Sequence, residues 1–240
     1  MKRLILAACA VLLSACASYV TPASGVSIAS IAEKDADISD AFKREPAMAF
    51  PARLAIARVA SSGYYSPTNR GYGQGAFSIL TVRDIETEES LEKLSAMPNV
   101  AGLAPLSRIL LPVSLQTTRD LRASAAQLKA DAILVYTLDT GFRTETTQFG
   151  PLQTVALGML ASKKSIVTAT CSFAIIDVRT GFIYGAGETS ATESNQSNLW
   201  GTADAADKAR QRAEAAAFDK GVDEVAKLWN GIVREHTSRT

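Results

Sequence analysis

The chain has 240 residues, of which 25 are basic and 24 acidic, and 47% of its residues are hydrophobic. This composition is that of a packed globule and excludes extensive disorder away from the chain ends. A net charge of +1 provides no basic surface of the kind that attracts nucleic acid, so a nucleic-acid partner is excluded.

The first fifteen residues have the pattern of a bacterial lipoprotein signal peptide. Lys2 and Arg3 precede an apolar stretch that ends in Leu-Ser-Ala at 13–15, followed by Cys16. Small residues before a cysteine are what the processing peptidase requires, and the thiol receives the diacylglyceryl group. The apolar stretch is too short to cross about 30 Å of hydrocarbon. We therefore expect removal of residues 1–15 and lipidation, including palmitate, at Cys16.

Lipidation predicts where the mature protein resides. Two or three acyl chains hold a protein on a membrane, since each buried methylene contributes about 0.8 kcal/mol. Ala17 follows Cys16, whereas known inner-membrane lipoproteins usually have Asp there, so the resemblance implies the periplasmic face of the outer membrane. Loss of Lys2 and Arg3 with the signal changes the 25 basic residues to 23, against 24 acidic ones, which leaves the mature chain close to neutral.

Only one cysteine is left for the folded domain. Cys9 leaves with the signal and Cys16 is acylated, so Cys171 has no intramolecular partner and a structural disulfide is excluded. Cys171 alternates with Ala169 and Phe173 on one face of a predicted strand, which indicates a buried, unreactive thiol. A reactive thiol or a link between two chains is the alternative.

Residues 16–50 are expected to form a lipidated tether with a short helix, ahead of a periplasmic domain at 51–235. The segment is rich in Ser, Ala, Pro and Gly and lacks a sustained apolar period. A flexible tether of this kind lifts a domain off the lipid surface. Its acidic residues Asp35, Asp37 and Asp40 fit a solvated face better than a metal site.

The first predicted strand, residues 53–60, is followed by a loop rich in Gly and Tyr. Glycines at 71, 73 and 75 match neither a dinucleotide fingerprint nor a P-loop. A mobile aromatic loop is the better interpretation, and its tyrosines are expected to be exposed. These tyrosines are the candidate partner contacts Tyr64, Tyr65 and Tyr72.

Helices and strands alternate through the middle of the chain. We expect an amphipathic helix over 86–97, a strand over 107–113 and a helix beginning near Thr117, where Thr117 and Asp120 resemble a capping pair. The continuous apolar run 130–138 predicts a strand covered on both faces. Strand, helix and strand in this order indicate a right-handed crossover.

The second half is predicted to form a hairpin and a long helix. Residues 165–178 and 182–190 flank the turn Arg-Thr-Gly at 179–181, where Gly181 supplies a positive φ. The helix begins at Thr202 and continues to about Arg234. Its apolar residues have helical spacing and are expected to face the core: Phe218, Val222, Val225 and Trp229.

Catalysis, metals and cofactors are not expected. The single histidine, His236, lies in the polar end of the chain, and a fraying terminus does not hold a catalytic base or a zinc ligand in place. The acidic residues on or near the predicted sheet are expected to be surface carboxylates. They are Glu145, Asp177, Glu188 and Glu193.

Two strings and the terminal helix carry a resemblance to known lipoproteins. The run Ala-Asp-Ala-Ile-Leu-Val at 130–135 and the run Ile-Asp-Val-Arg-Thr-Gly-Phe-Ile at 176–183 precede the Ala-rich helix. Together they resemble the periplasmic domain shared by the curli-secretion channel lipoprotein and the lipoprotein activators of penicillin-binding proteins. The resemblance implies an α/β fold, with a mixed sheet of about four to five strands flanked by helices and a long C-terminal helix.

The two families imply different roles. The channel lipoprotein oligomerises and crosses the outer membrane with β-hairpins, which need segments of about ten residues that alternate in polarity. The insert 141–164 clusters its apolar residues instead, which predicts a short helix or a membrane-touching loop with Leu157 and Met159 as contacts. The activators reach an inner-membrane enzyme through a long stalk, and residues 17–50 are short for that distance.

The sequence therefore favours a non-catalytic outer-membrane lipoprotein whose periplasmic domain makes protein contacts in envelope assembly or secretion. The expected partners are the membrane, through the N-terminal lipid, and an unidentified envelope protein. The alternative is a subunit of an oligomeric outer-membrane export channel, with residues 141–165 touching lipid, so a homo-oligomer is left open.

Overall fold

A computed structural model of the chain describes residues 25, 27, 28, 38–146, 163–197 and 202–237. Three of the predicted site residues, Cys16, Leu157 and Met159, lie outside the described residues.

Helices alternate with strands along the described chain. A single 3₁₀ turn, Arg108–Leu110, lies between the fourth and fifth strands. The other elements follow in the order α1 (Ile38–Phe42), β1 (Ala52–Ser61), β2 (Gln74–Gly75), β3 (Phe77–Leu80), α2 (Glu88–Ser95), β4 (Val100–Pro105), β5 (Ser114–Leu115), α3 (Thr118–Gln127), β6 (Ala132–Thr146), β7 (Lys163–Asp177), β8 (Ile183–Ser197) and α4 (Thr202–Thr237).

Six of the strands form one mixed sheet. β6 lies parallel to β1, and β7 and β8 continue the sheet as an antiparallel hairpin. On the other side of β1, β4 pairs parallel to its first half and β3 antiparallel to its second half. β2 and β5 form a separate two-stranded sheet. The predicted α/β class with a mixed sheet and a long C-terminal helix is confirmed, with one strand more than the upper number expected.

Each face of the sheet covers its own hydrophobic core. Successive side chains of a strand point to opposite faces, so Leu134 and Phe173 belong to the core formed with α4. Val135 and Ile176 belong to the core formed with α3. The first half of β6 is buried on both faces, as its continuous apolar run predicts.

Local capping fixes two predicted helices. Thr87 caps α2, where its side chain accepts a hydrogen bond from Ser90 N at 3.1 Å. At the start of α3, Asp120 Oδ2 accepts from Thr117 N at 3.0 Å and from Gln116 N at 2.8 Å. Such contacts satisfy main-chain N–H groups that have no intrahelical acceptor.

The strand predicted over 107–113 is wrong. Residues 108–110 form a 3₁₀ turn instead, in which Ile109 is exposed while Leu111 just beyond it is buried. A turn is enough to bury the side chain of Leu111, so an extended strand is not required there. The strand of the main sheet that comes before α3 is β4, which has little strand propensity in its sequence Val-Ala-Gly-Leu-Ala-Pro and is formed by pairing with β1. β4 and β6 thus lie on opposite sides of β1, both parallel to it.

The predicted hairpin and terminal helix are confirmed. β7 and β8 meet at a turn in which Gly181 has a φ of +75°, a conformation that favours glycine. The residues predicted to face the core from α4 are buried: Phe218, Val222, Val225 and Trp229.

The edges of the insert predicted over 141–164 are strands rather than a helix or loop. β6 continues to Thr146 and pairs there with Lys163 of β7. Main-chain pairing with a neighbouring strand extends the sheet regardless of the polarity of the side chains. The apolar cluster 151–160 lies outside the described residues.

Candidate functional site

Gly25 and Ile28 lie against the sheet on the same face as α3. A Cβ atom at Gly25 would lie 2.8 Å from the carbonyl oxygen of Leu138 and 2.9 Å from Thr137 Oγ1. Only glycine permits this approach. Ile28 packs against the core shared with α3. Gly25 and Ile28, which belong to the predicted tether of residues 16–50, thus contact the domain.

Residues just before β1 are held by the β7–β8 turn. Ala47 N donates to Asp177 Oδ2 at 2.8 Å, and Met48 N donates to the hydroxyl of Tyr184 at 2.9 Å. The Tyr184 hydroxyl donates in turn to Asp177 Oδ2 at 2.7 Å. Asp177 Oδ1 accepts from the backbone N–H groups of Arg179 and Thr180 at 2.8 and 3.0 Å. The Asp177 carboxylate thus holds both the β7–β8 turn and the residues just before β1.

Asp177 was expected on the surface, and that expectation is wrong because the residue is fully buried. Burial by itself would raise the pKa of Asp177, but the hydrogen bonds from Thr180, Tyr184, Ala47 and Arg179 outweigh it and lower the pKa. The carboxylate is therefore charged at neutral pH and acts as a hydrogen-bond acceptor rather than as a general acid.

His236 lies beside this carboxylate cluster rather than on a frayed end. α4 continues to Thr237, and the His236 ring packs edge-on against Tyr184 with centroids 5.4 Å apart. Its Nδ1 lies 3.0 Å from the carbonyl oxygen of Ile232. Burial and the hydrogen bond to Asp177 raise the pKa of Tyr184. These contacts give His236 a packing role at the end of the helix.

A cavity of about 480 Å³ lies over β7 and β8, on the face of the sheet against which Ile28 packs. Part of its apolar lining comes from Ile176, Ile183 and Ala186. It is also lined by Ile28 and Arg44, which precede β1 in the chain. At its polar side, Ser172 Oγ donates to Glu188 Oε1 at 2.6 Å, so this carboxylate is already engaged. The lining suits an apolar group better than a hydrolytic reaction.

A network of buried charges lies on the opposite face, between β1 and α4. Glu214 Oε2 accepts from Arg58 at 3.0 Å and from Arg210 at 2.6 Å, and its Oε1 accepts from Thr140 at 2.9 Å. Arg58 also pairs with Asp84 at 2.7 Å. Each of these acidic groups is paired with a guanidinium, so the buried charges of the network compensate one another.

The same network anchors the loop between β1 and α2. Thr68 Oγ1 accepts from Arg210 at 3.1 Å and donates to Asp84 Oδ2 at 3.1 Å. Burial opposes the charge of Arg58, but the carboxylates, Glu214 foremost, outweigh it and raise the pKa of Arg58 above its ordinary value. Tyr136 of β6 donates to Glu86 at the end of this loop. The loop is therefore tied to the sheet and to α4.

This anchoring corrects the prediction of three exposed tyrosines. Tyr64 is only 4% exposed and packs with Ala60 and Leu80, whereas Tyr65 is 62% exposed. Tyr72 is half-buried, and its hydroxyl donates to the carbonyl oxygen of Leu111 at 3.4 Å. The loop folds back on itself through backbone bridges at 65–70 and 72–79, so only one of the three rings faces outward. Tyr65 remains a predicted partner contact.

The thiol of Cys171 is buried, as the strand pattern predicts. Its exposure is 1%, and burial raises the pKa to about 12, so the thiolate that reacts with oxidants is absent at neutral pH. In the part of the chain that the structure describes, no His, Cys, Asp or Glu side chains cluster as metal ligands do.

The long strand β8 forms an edge of the sheet. Within the described ranges no strand pairs with its outer side. Lys220 of α4 donates to the carbonyl oxygen of Ser190 at 2.9 Å and covers one point of this edge. An open edge presents unpaired N–H and C=O groups to which another strand can add.

Sequence reasoning missed the charge network, although a signal for it was present. Arg58 is two and four positions after Ile56 and Leu54, so its side chain points to the same face of the strand as theirs. The sequence therefore places a cation on the core face of the sheet. Arg210 and Glu214 precede Phe218 at intervals of four and so extend the apolar stripe of α4. The contact of Gly25 with the sheet had no comparable signal.

The described residues contain no helix with the length and apolarity needed to cross a bilayer. Neither a family model nor a curated protein sequence matches this chain.

Several solved structures match parts of this chain. A PelC dodecamer from Paraburkholderia phytofirmans matches 73% of this chain and 88% of its own, at 15% identity and a TM-score of 0.30. A neuraminyllactose-binding hemagglutinin homolog from Helicobacter pylori matches 81% and 94%, at 8% identity and a TM-score of 0.36. A minor lipoprotein from Acinetobacter baumannii matches 75% and 92%, at 11% identity and a TM-score of 0.32. At these identities and TM-scores the chain is assigned to none of their families.

Proposed function

We propose that this chain is a non-catalytic lipoprotein of the bacterial outer membrane whose α/β domain binds another envelope protein. The Leu-Ser-Ala-Cys pattern at 13–16 supports cleavage after residue 15 and acylation, palmitate included, of Cys16. Ala17 supports the periplasmic face of the outer membrane. In this proposal residues 16–50 lead from the lipid to a domain at 51–235.

The observation that carries the binding role is the open edge of β8. The strand is fifteen residues long, and its outer side has no strand partner among the described residues. Soluble proteins usually shorten, cover or charge such an edge, since it pairs with any compatible strand. Binding through this edge needs no cofactor and no titrating side chain, which agrees with the structural roles of the buried acids.

Exposed Tyr65 provides a second contact point. Its neighbour Tyr64 is locked in the core, so the ring of Tyr65 is held on a segment that the Thr68 hydrogen bonds fix in place. Tyrosine on an ordered surface loses little conformational entropy on binding and is enriched at protein interfaces.

In-cell photo-crosslinking tests the binding role. A photoreactive residue replaces exposed Thr192 in β8, and a matched control replaces exposed Lys227 on the outer side of α4. The proposal predicts a crosslink to one envelope protein from position 192 and none from position 227. Equal labelling at both positions, or no crosslink from position 192, would contradict it.

A subunit role in an oligomeric export channel is the second candidate, and one observation favours it. β4 also has a free outer side within the described part of the sheet, and it lies at the edge opposite β8. Pairing β8 of one copy with β4 of the next is a head-to-tail contact, which closes into a ring when the rotation permits. A crosslink from Thr192 to β4 of a second copy would favour this role over a different partner protein.

A further inference from the structure

The helix α1 exposes two large apolar side chains on one side. Ile38 is 73% exposed and Phe42 is 86% exposed. Residues four apart lie on the same face of a helix, whereas Asp40 projects from the other face, where it pairs with Lys43 at 2.8 Å. The helix is thus amphipathic, and its apolar face is turned away from the domain.

We propose that α1 lies on the bilayer that holds the lipid anchor, with Ile38 and Phe42 inserted at the boundary between headgroups and acyl chains. The inference rests on the proposed acylation of Cys16. Interfacial helices bury an apolar face in this way while their polar face stays in water. The occupant of the exposed face is therefore lipid.

The length of the chain between the anchor and the sheet keeps the domain close to the bilayer. Gly25, which is packed against Leu138, is nine positions after Cys16 in the chain. A fully extended chain over nine positions spans at most about 32 Å, and a flexible coil of that length spans about 17 Å. The face of the sheet that Gly25 touches therefore stays within a few tens of ångströms of the lipid.

The end of α1 is held near the same part of the domain. Arg44, two residues beyond the helix, lines the cavity that Ile28 also lines. Ile28 is twelve residues from Cys16, so the anchor and α1 reach the domain at one common place. A helix held there, with its apolar face outward, is within reach of the bilayer that the lipid anchor enters.

Fluorescence from the full-length lipidated protein tests this orientation. The protein is reconstituted in vesicles of phosphatidylethanolamine and phosphatidylglycerol, with a polarity-sensitive label attached to Phe42→Cys or, as a control on the opposite face, to Asp40→Cys. Cys171 is buried and Cys16 is acylated, so the label goes to the introduced thiol. Both substituted positions are exposed, so neither variant disturbs the core.

The emission of the label at position 42 is expected to shift to shorter wavelength on the vesicles. Most of its intensity is expected to be lost when lipids with a shallow nitroxide quencher are added. The label at position 40 is expected to keep an aqueous spectrum and most of its emission. Equal responses at the two positions, or no quenching at position 42, would overturn the inference. If the labelled protein does not float with the vesicles, the acylation proposal fails; if it floats unquenched at position 42, only this inference fails.

Discussion

Arg58 of β1 and Glu214 of α4 form an ion pair in the core, with an Nη2–Oε2 distance of 3.0 Å and side-chain exposures of 3% and 2%. Arg210 binds the same carboxylate oxygen from the other side at 2.6 Å. Two cations therefore share one buried anion, and Asp84 and Asp207 complete their coordination. This arrangement joins the first strand, the aromatic loop and the terminal helix.

Replacement of Glu214 is expected to be strongly destabilising. In Glu214→Ala, Arg58 and Arg210 lose their shared partner while they remain buried, and breaking a buried pair in this way costs about 3–5 kcal/mol. Urea denaturation measures the change in the free energy of unfolding. Glu224→Ala is the control, since Glu224 pairs with exposed Lys227 and its loss is expected to be undetectable. Equal stability of the two variants would contradict a structural role for the network.

The Asp177 cluster predicts a local and a pH-dependent effect. Asp177→Ala removes the acceptor for Ala47 N, Tyr184 Oη and the turn amides, which is expected to cost about 1–3 kcal/mol and to speed hydrogen exchange at Ala47. Because the folded-state pKa lies below its ordinary value of 3.8, this stabilisation is present above that pH and is lost as the pH falls below it.

A milder variant separates the two effects. Tyr184→Phe removes one hydroxyl but leaves the carboxylate, so we expect a cost of about 1 kcal/mol with the acid dependence retained. An unchanged hydrogen-exchange rate at Ala47 in Asp177→Ala would show that the Asp177 carboxylate does not hold the residues just before β1.

The close approach of Gly25 to the sheet makes a glycine-specific prediction. Gly25→Val places a side chain against the backbone of Leu138. The chain around residue 25 is therefore expected to detach from the sheet rather than to distort β6. The loss of global stability is expected to stay within about 1–3 kcal/mol, while protease cleavage near residue 28 becomes faster. Gly102→Val is the control, because no atom lies near its added Cβ. Equal cleavage rates would argue against the contact.

The spacing of apolar residues predicted those helices and strands whose conformation is determined by their own residues. β1, β6, the β7–β8 hairpin and α4 have apolar patterns that match their buried faces, and α2 and α3 have caps in the right place. β4 was missed because its strand conformation comes from pairing with β1. The run at 107–113 was misassigned because a turn buries Leu111 without an extended segment.

The contact sites were harder to predict, since they depend on long-range partners. Tyr64 and Tyr65 are identical neighbours in the sequence, and only the fold of the loop decides that one is buried and the other exposed. The sequence places Asp177 among the surface acids, because its acceptor role depends on Ala47, 130 positions away in the chain. Arg58 and Glu214, 156 positions apart, present the same difficulty.

The buried thiol predicts a loss of stability in alkali. Burial raises the pKa of Cys171 from 9.0 to about 12, so the unfolded chain loses the proton first as the pH rises. The contribution of this residue is therefore complete below pH 9 and falls by at most about 1.4 kcal/mol per pH unit above it. The fall is measured as the difference in unfolding free energy between the native chain and Cys171→Ala. A constant difference through this range would contradict the burial of the thiol.

Mass spectrometry of the N-terminus of protein purified from its native membrane tests the central claim most directly. The account predicts a mature chain that begins at Cys16 and carries the added mass of a diacylglyceryl group and fatty acids. A free thiol at Cys16, or a chain that retains residues 1–15, would contradict it.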